Sequence, residues 1–316
     1  MDFPAHPAGG SVTGQYFTSA DGQVKVPALV LGDTFPTVKN DILNYKWKTG
    51  DFLLATYPKN GTHLMWEVMT MLLQGSAEYK EELARQLVML DIFPISNSET
   101  HFPSPRVLNT HYRQDVIGPE YRKGKTVVVL RNPKDVCVSQ YHHEVKMMPK
   151  VAPPFKPLEN LPFSSFVKMF LFNKDVPYGT YFDYTAYVWS LRNDPTVHFI
   201  FFEDMKTDPI GTVERLNEFM GTKRSSTFIQ KIVEATNFEK MRKAKVAAEH
   251  TEEIEEKRKT QTGIPPEKDK SKVFVENIFR KGATGDWKNY FSVADNELFD
   301  SFLANWEAGK GIPFRY

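Results

Sequence analysis

Short apolar runs, each leading through a polar turn into a helical stretch, recur along the chain. DFLLAT (Asp51 to Thr56) leads through YPKNG into THLMWEVMTMLLQ, whose HLMWEVMTMLLQ portion is apolar on nearly every face and predicts a buried helix. RVLNTH ends at His111, and TVVVL (Thr126 to Leu130) leads through RNPKD into VCVSQYHHEVKMM. VHFIFF (Val197 to Phe202) leads through EDMKTD into PIGTVERLNEFMG, where Asp208 before Pro209 is a good pair for a helix cap and first turn. Apolar strands alternating with helices predict an α/β fold, a parallel sheet flanked by helices. Ligands of such sheets bind beyond the carboxyl ends of the strands. Lys59, His111, Arg131 and Glu203 all lie at or just after predicted strand ends, so four distant segments are expected to converge on one crevice.

Three stretches break this pattern. Pro149, Pro153, Pro154, Pro157 and Pro162 crowd the segment around KVAPPFKPLENLPF, which is expected as a surface loop or lid and not as helix or central strand. EKMRKAKVAAEHTEEIEEKRKTQTG is densely charged and reads as a solvated helix followed by a flexible loop. RKGATGDWKNYF combines two glycines with lysines and an arginine, a mixture suited to backbone wrapped closely round an anion.

Composition narrows the field. With 316 residues, 41% of them hydrophobic, the chain can bury a large core as one α/β domain or two smaller ones. Forty basic against 39 acidic side chains imply no general attraction to nucleic acid or to a membrane surface, so any anion site must be local. A single cysteine, Cys137, excludes an internal disulfide. No apolar run approaches the ~20 residues of a membrane helix, and the start MDFPAHPAGGSV does not resemble a targeting segment. A cytoplasmic protein is the simplest expectation.

The loop TYPKNGTH has the parts of a phosphate-binding loop in an unusual order. In a nucleotide-hydrolysing loop the lysine follows the last glycine and precedes a hydroxyl that holds magnesium; here Lys59 precedes Gly61. Gly61 permits close backbone approach, and Thr62 and His63 open a helix whose N–H groups attract anions. The loop alone is equally compatible with an ordinary strand-to-helix turn. Arg131, with Ser139 eight residues on, favours a second phosphate over a cation, or else forms an ion pair with Asp135. His111 is a candidate base. Glu203 and Asp204 are expected in salt bridges and turn hydrogen bonds, and not as magnesium ligands. Two anion sites in one sheet point to a ligand with phosphates at two positions.

TYPKNGTH, LNTHYR, LRNPKDVCVSQYHH, FFEDMKTDP, ATNFEKM and RKGATGDWKNYF together resemble the cytosolic sulfotransferase family over nearly the whole chain. The resemblance implies one P-loop-related domain over residues 1–316, with residues 1–45 and the loop 146–163 near the acceptor site. It implies transfer of the sulfuryl group of 3′-phosphoadenosine 5′-phosphosulfate (PAPS) to a hydroxyl or amine of a small, apolar or aromatic acceptor, leaving adenosine 3′,5′-bisphosphate (PAP), with no metal required. Under it the phosphosulfate loop comprises Lys59, Asn60, Gly61, Thr62 and His63. Lys59 resembles the lysine that stabilises the departing phosphate, His111 the general base, and Ser139 a serine that binds the 3′-phosphate and restrains the lysine. Arg131, Arg280, Lys281 and Gly282 match the 3′-phosphate clamp; Phe202 stands at a nucleotide-contacting position, and Thr236, Phe238 and Met241 match the adenine segment. Lys288 through Glu297, KNYFSVADNE, resembles the family's dimerisation stretch.

The chain departs from the family pattern at several points. Leu64 replaces a tryptophan that stacks on adenine, and Trp66 lies ~200° further round the helix. Asn60 replaces a serine, Asn109 a lysine, Phe202 a tyrosine and Ser292 a threonine; these bear on cofactor affinity and dimer strength. A non-catalytic PAP-binding protein of the same fold is the alternative function, and a magnesium-dependent kinase is disfavoured by the residue order at Lys59.

Overall fold

The computed structural model describes residues 16–19, 22–27, 35–79, 88–91, 102–151, 153–248 and 279–316. A small antiparallel pair, β1 (Tyr16–Thr18) and β2 (Lys25–Pro27), comes first, followed by helix α1 (Phe35–Asn44). The central sheet is built from β3 (Phe52–Thr56), β4 (Val107–Thr110), β5 (Lys125–Leu130) and β6 (Val197–Phe201). All its pairings are parallel and its order is β4-β3-β5-β6. The chain leaves β3 for one neighbour and returns to the other, so the order reverses about β3 and the crevice beyond its carboxyl end is the natural ligand position.

The strands read as continuous apolar runs because both faces are covered. Val127 and Val129 join one hydrophobic cluster and Val128 and Leu130 the other, as the period of two along a strand requires. On one face lie α2 (Thr62–Gln74) and, later in the chain, α6 (Pro209–Met220) and α7 (Ser226–Ala235); on the other, α3 (Pro133–Tyr141), α4 (Phe163–Phe172), α5 (Tyr181–Ser190) and α9 (Val293–Asn305). Helix α2 is buried from Leu64 through Leu72, as its apolar circumference predicts. Asp208 caps α6 by accepting from the Gly211 N–H at 3.0 Å, with Pro209 in the first turn.

The proline-rich segment corrects one expectation. Met148–Val151 is α-helical and Pro153–Leu158 forms a 3₁₀ helix that contains Pro157. A short 3₁₀ stretch tolerates proline because few of its N–H groups have an internal partner to lose. The charged segment begins as helix α8 (Phe238–Ala248), and its remainder lies outside the described residues.

Candidate active site

Parallel register brings the carboxyl ends of β3, β4, β5 and β6 to one edge, and a cavity of about 380 Å³ opens there. Lys59, Gly61, Thr62, His63, His111, Arg131, Ser139, Phe202, Thr236, Phe238, Met241, Arg280, Lys281 and Gly282 all line it. Asn60 does not. Its side chain is fully buried and donates through Nδ2 to the Val129 carbonyl at 2.9 Å, tying the loop to β5.

The loop after β3 turns sharply. Lys59 has φ 70° and Gly61 φ 107°, so left-handed residues flank Asn60. A non-glycine residue in that region is uncommon and concentrates at functional sites. A Cβ on Gly61 would lie 2.6 Å from the Phe202 ring, so only glycine fits the loop beneath that ring. Gly61 then caps α2, whose first-turn N–H groups form the kind of helix start that takes up phosphate or sulfate.

Arg131 is 8% exposed and is one of several cationic side chains that line the cavity. Its Nη1 donates to the Lys59 carbonyl at 3.0 Å and its Nη2 to the Ala283 carbonyl at 3.1 Å, while Nε is buried without a partner. The guanidinium also stacks 4.4 Å from the Phe202 ring centroid. The ion pair with Asp135 that the sequence left open does not form. Asp135 instead accepts from the backbone N–H of Gly285 at 2.6 Å and of Trp287 at 3.1 Å, which pins the glycine-rich C-terminal loop to the start of α3. Arg280 and Lys281 on that loop pair with Asp286, each at 2.7 Å. Gly282 has φ 61°, and a Cβ there would meet the Phe238 ring at 2.1 Å. Backbone and ring thus meet in the cavity wall, which Leu64 also lines. Trp66 faces away, with its Nε1 donating to the Val107 carbonyl at 3.0 Å.

His111 stands just beyond β4. Its backbone N–H donates to Asp91 Oδ2 at 2.7 Å, and Thr110 Oγ1 donates to Asp91 Oδ1 at 2.5 Å, so a buried carboxylate holds the turn. The ring's Nδ1 lies 2.7 Å from the Thr56 carbonyl oxygen. A carbonyl can only accept, so Nδ1 carries the proton and Nε2 is the lone-pair nitrogen.

Glu203 accepts from the Asn132 backbone N–H at 2.9 Å, and burial raises its pKa; Asp204 pairs with Arg315 at 3.1 Å. Turn and salt-bridge roles therefore describe both, and no cluster suited to a metal ion occurs among the described residues. The sequence did not single out Lys206, which also lines the cavity. Its Nζ sits 5.4 Å from the Phe202 centroid, and burial, then Arg131, lowers its pKa. Its signal was a lysine in the turn after β6, indistinguishable there from a surface charge.

Fold and cavity together define a P-loop-related α/β protein with one crevice at its strand ends: one end carries a glycine-turned loop, a second a histidine, a third a buried arginine. Comparison with known proteins narrows the class. The sulfotransferase domain family matches residues 49–311. Human sulfotransferase 1C2 is 31% identical over 88% of this chain and 90% of its own length, and mouse sulfotransferase 1A1 is 30% identical over 92% and 96%. Among solved structures, mouse sulfotransferase SULT7A1 in complex with PAP superposes with a TM-score of 0.69 at 22% identity, covering 94% of each chain. Retinol dehydratase with androsterone and PAP gives a TM-score of 0.66 at 21% identity, over 93% of this chain and 90% of that one. The chain belongs to the sulfotransferase family.

Proposed function

We propose that the cavity binds PAPS beside a small acceptor and that the protein transfers the sulfuryl group to an acceptor hydroxyl or amine, releasing PAP. The observation that carries this reading is a buried arginine with no carboxylate in salt-bridge distance among the described residues, beside a glycine-turned anion loop. A desolvated guanidinium of this kind calls for an anion. PAP in the mouse sulfotransferase and retinol dehydratase structures supports a nucleotide with two phosphate positions.

PAPS supplies an activated sulfuryl group joined to its 5′-phosphate. Lys59 and the first turn of α2 hold the phosphosulfate, with Thr62 and His63 at the helix start. Arg131, Ser139, Arg280, Lys281 and Gly282 hold the 3′-phosphate, and Arg280 and Lys281 exchange part of their contact with Asp286 for it. Thr236, Phe238, Met241 and Phe202 enclose the adenosine. The acceptor oxygen attacks sulfur as His111 Nε2 takes its proton. The bond from sulfur to the bridging oxygen breaks, and Lys59 stabilises the charge left on the departing phosphate. Ser139 restrains Lys59 until the acceptor arrives. The His111 tautomer weighs against a protein that only binds PAP, because binding alone requires no base.

The acceptor is small and apolar or aromatic over much of its surface; androsterone in the retinol dehydratase structure is one example of such a molecule. Met148 and Phe155 from the 146–163 segment line the cavity. Phe17 of the N-terminal region packs 4.4 Å from Tyr112, which packs 4.8 Å from the cavity residue Tyr178. Both observations support acceptor roles for these segments. Lys288–Glu297 is proposed as a homodimer contact and the cytoplasm as the compartment; no helix among the described residues is long and apolar enough to cross a membrane.

Arg131→Ala tests the nucleotide assignment. Affinity for PAPS is expected to fall roughly 10- to 100-fold, the weight of a charge-assisted hydrogen bond. Affinity for adenosine 5′-phosphosulfate, which lacks the 3′-phosphate, should change little. Equal losses measured by calorimetry for both nucleotides would remove Arg131 from the 3′-phosphate site.

A further inference from the structure

Beyond Ser139, helix α3 runs into a π-helical turn, His142–Met147. Such turns are rare and concentrate at functional sites. Gln140, His143 and Glu144 all line the cavity together with Lys59 and His111. Polar groups there are unexpected for a pocket whose neighbouring wall is Met148, Phe155 and Tyr178.

The hydrogen bonds define what these groups offer. Gln140 Nε2 donates to Glu144 Oε1 at 2.6 Å. A carboxylate accepts only, so this bond fixes the amide orientation and leaves Gln140 Oε1 as an acceptor. That oxygen is buried without a partner, and so is His143 Nδ1. Burial pushes the His143 pKa well below the usual range, and Lys59 and then His111 push it the same way, so the ring is neutral. Buried polar atoms without partners are costly, and these two belong to residues that line the cavity, where a bound ligand can supply the missing bonds.

We propose that Gln140 and His143 form a recognition wall for a second polar group on the acceptor: besides the hydroxyl that is sulfated, the acceptor carries a further hydroxyl or amine that donates to Gln140 Oε1 and bonds to the His143 ring. Glu144 is a positioning residue that holds the Gln140 amide. A purely apolar phenol leaves both atoms unsatisfied, so the wall selects against it. The inference rests on the reading of this cavity as the site of sulfuryl transfer.

Matched acceptors test it: 3- and 4-hydroxymethylphenol against 3- and 4-methylphenol, with PAPS for turnover and with the PAP-loaded protein for binding by calorimetry. The better hydroxymethyl isomer is expected to exceed its methyl partner by about tenfold or more in kcat/KM and in affinity, the effect of one net hydrogen bond. The double variant Gln140→Leu, His143→Phe should bring that ratio to one or below, losing on the hydroxymethyl phenol while holding or gaining on the methyl phenol. A merely damaged fold lowers both and leaves the ratio unchanged, which would overturn the wall. Equal affinities in the wild-type protein would overturn it as well. A binding preference without turnover of either acceptor upholds the wall and counts against sulfuryl transfer instead.

Discussion

At the scale of single residues, the site depends on which atom of each side chain is already engaged. His111 spends Nδ1 on the Thr56 carbonyl, and the backbone bond to Asp91 fixes where the ring stands, so the ring proton is assigned to Nδ1 and the lone pair to Nε2. Replacing the ring by the amide of His111→Gln keeps a donor for the Thr56 carbonyl and removes the proposed base. Turnover is expected to fall by about 10²–10⁴-fold, the usual weight of a general base, while PAP affinity stays within about twofold because no proposed nucleotide contact is lost. Steady-state rates and calorimetric titration check both. A variant that keeps more than about a tenth of wild-type turnover is incompatible with His111 as the base. Asn60 shows the opposite outcome: an amide in the middle of the anion loop whose Nδ2 is engaged by a sheet carbonyl. Sequence placed it in the loop correctly, but only the packing of the loop on β5 reveals that the side chain points into the protein.

At the scale of elements, the strands and their polar ends were legible because burial on both faces writes an uninterrupted apolar run, and a parallel sheet must align the ends of those runs. Lys59, His111 and Arg131 could therefore be brought together from the sequence. The π-helical turn at His142–Met147 was not legible, since one extra residue per turn leaves no distinct pattern in HHEVKM, and it carries His143 and Glu144 on the cavity wall. The 3₁₀ helix Pro153–Leu158 was hidden by the prolines that ordinarily exclude helix. Ser292 is a departure that the local structure renders mild: it caps α9 in a capping box with Asp295, a task serine and threonine share. Beside it Val293 is 76% exposed, an apolar side chain at the proposed dimer contact. Val293→Glu should convert a dimer to monomer in sedimentation velocity, with the melting temperature falling only by the stabilisation that partner binding had supplied. A dimer that persists in the variant would place the contact elsewhere.

At the scale of the molecule, the C-terminal segment closes the cavity by fastening to α3. Asn132 Nδ2 donates to the Arg315 carbonyl at 2.7 Å, Asp135 holds Gly285 and Trp287, and Lys134 Nζ reaches Asn296 Oδ1 at 2.7 Å and pairs with Asp300 at 2.5 Å. His142 Nε2 and the Tyr290 hydroxyl share a hydrogen bond of 2.8 Å in the same seam. Burial, with Arg280 adding to it, lowers the His142 pKa from 6.5 to about 4. Between those values the unfolded chain binds a proton that the folded chain refuses, so stability rises with pH across the window. The contribution is fully present above about pH 6.5 and is lost as pH falls towards about 4. Burial lowers His143 and His198 too, so they act with the same sign. Asp286 follows at lower pH. Burial opposes its ionisation, but hydrogen bonds from Lys281, Asn289 and Arg280 hold it near 2 instead of 3.8, and its contribution disappears only across that lower window. Melting temperature is therefore expected to decline in two stages on acidification. His142→Phe retains an aromatic ring edge-on to Tyr290 and removes the titrating nitrogen. The first stage should become shallower in this variant, though not flat, while the Asp286 stage is unchanged. Thermal melts from neutral to acid pH measure both stages, and an identical slope in wild type and His142→Phe would show that the seam between α3 and the C-terminal segment is not coupled to His142.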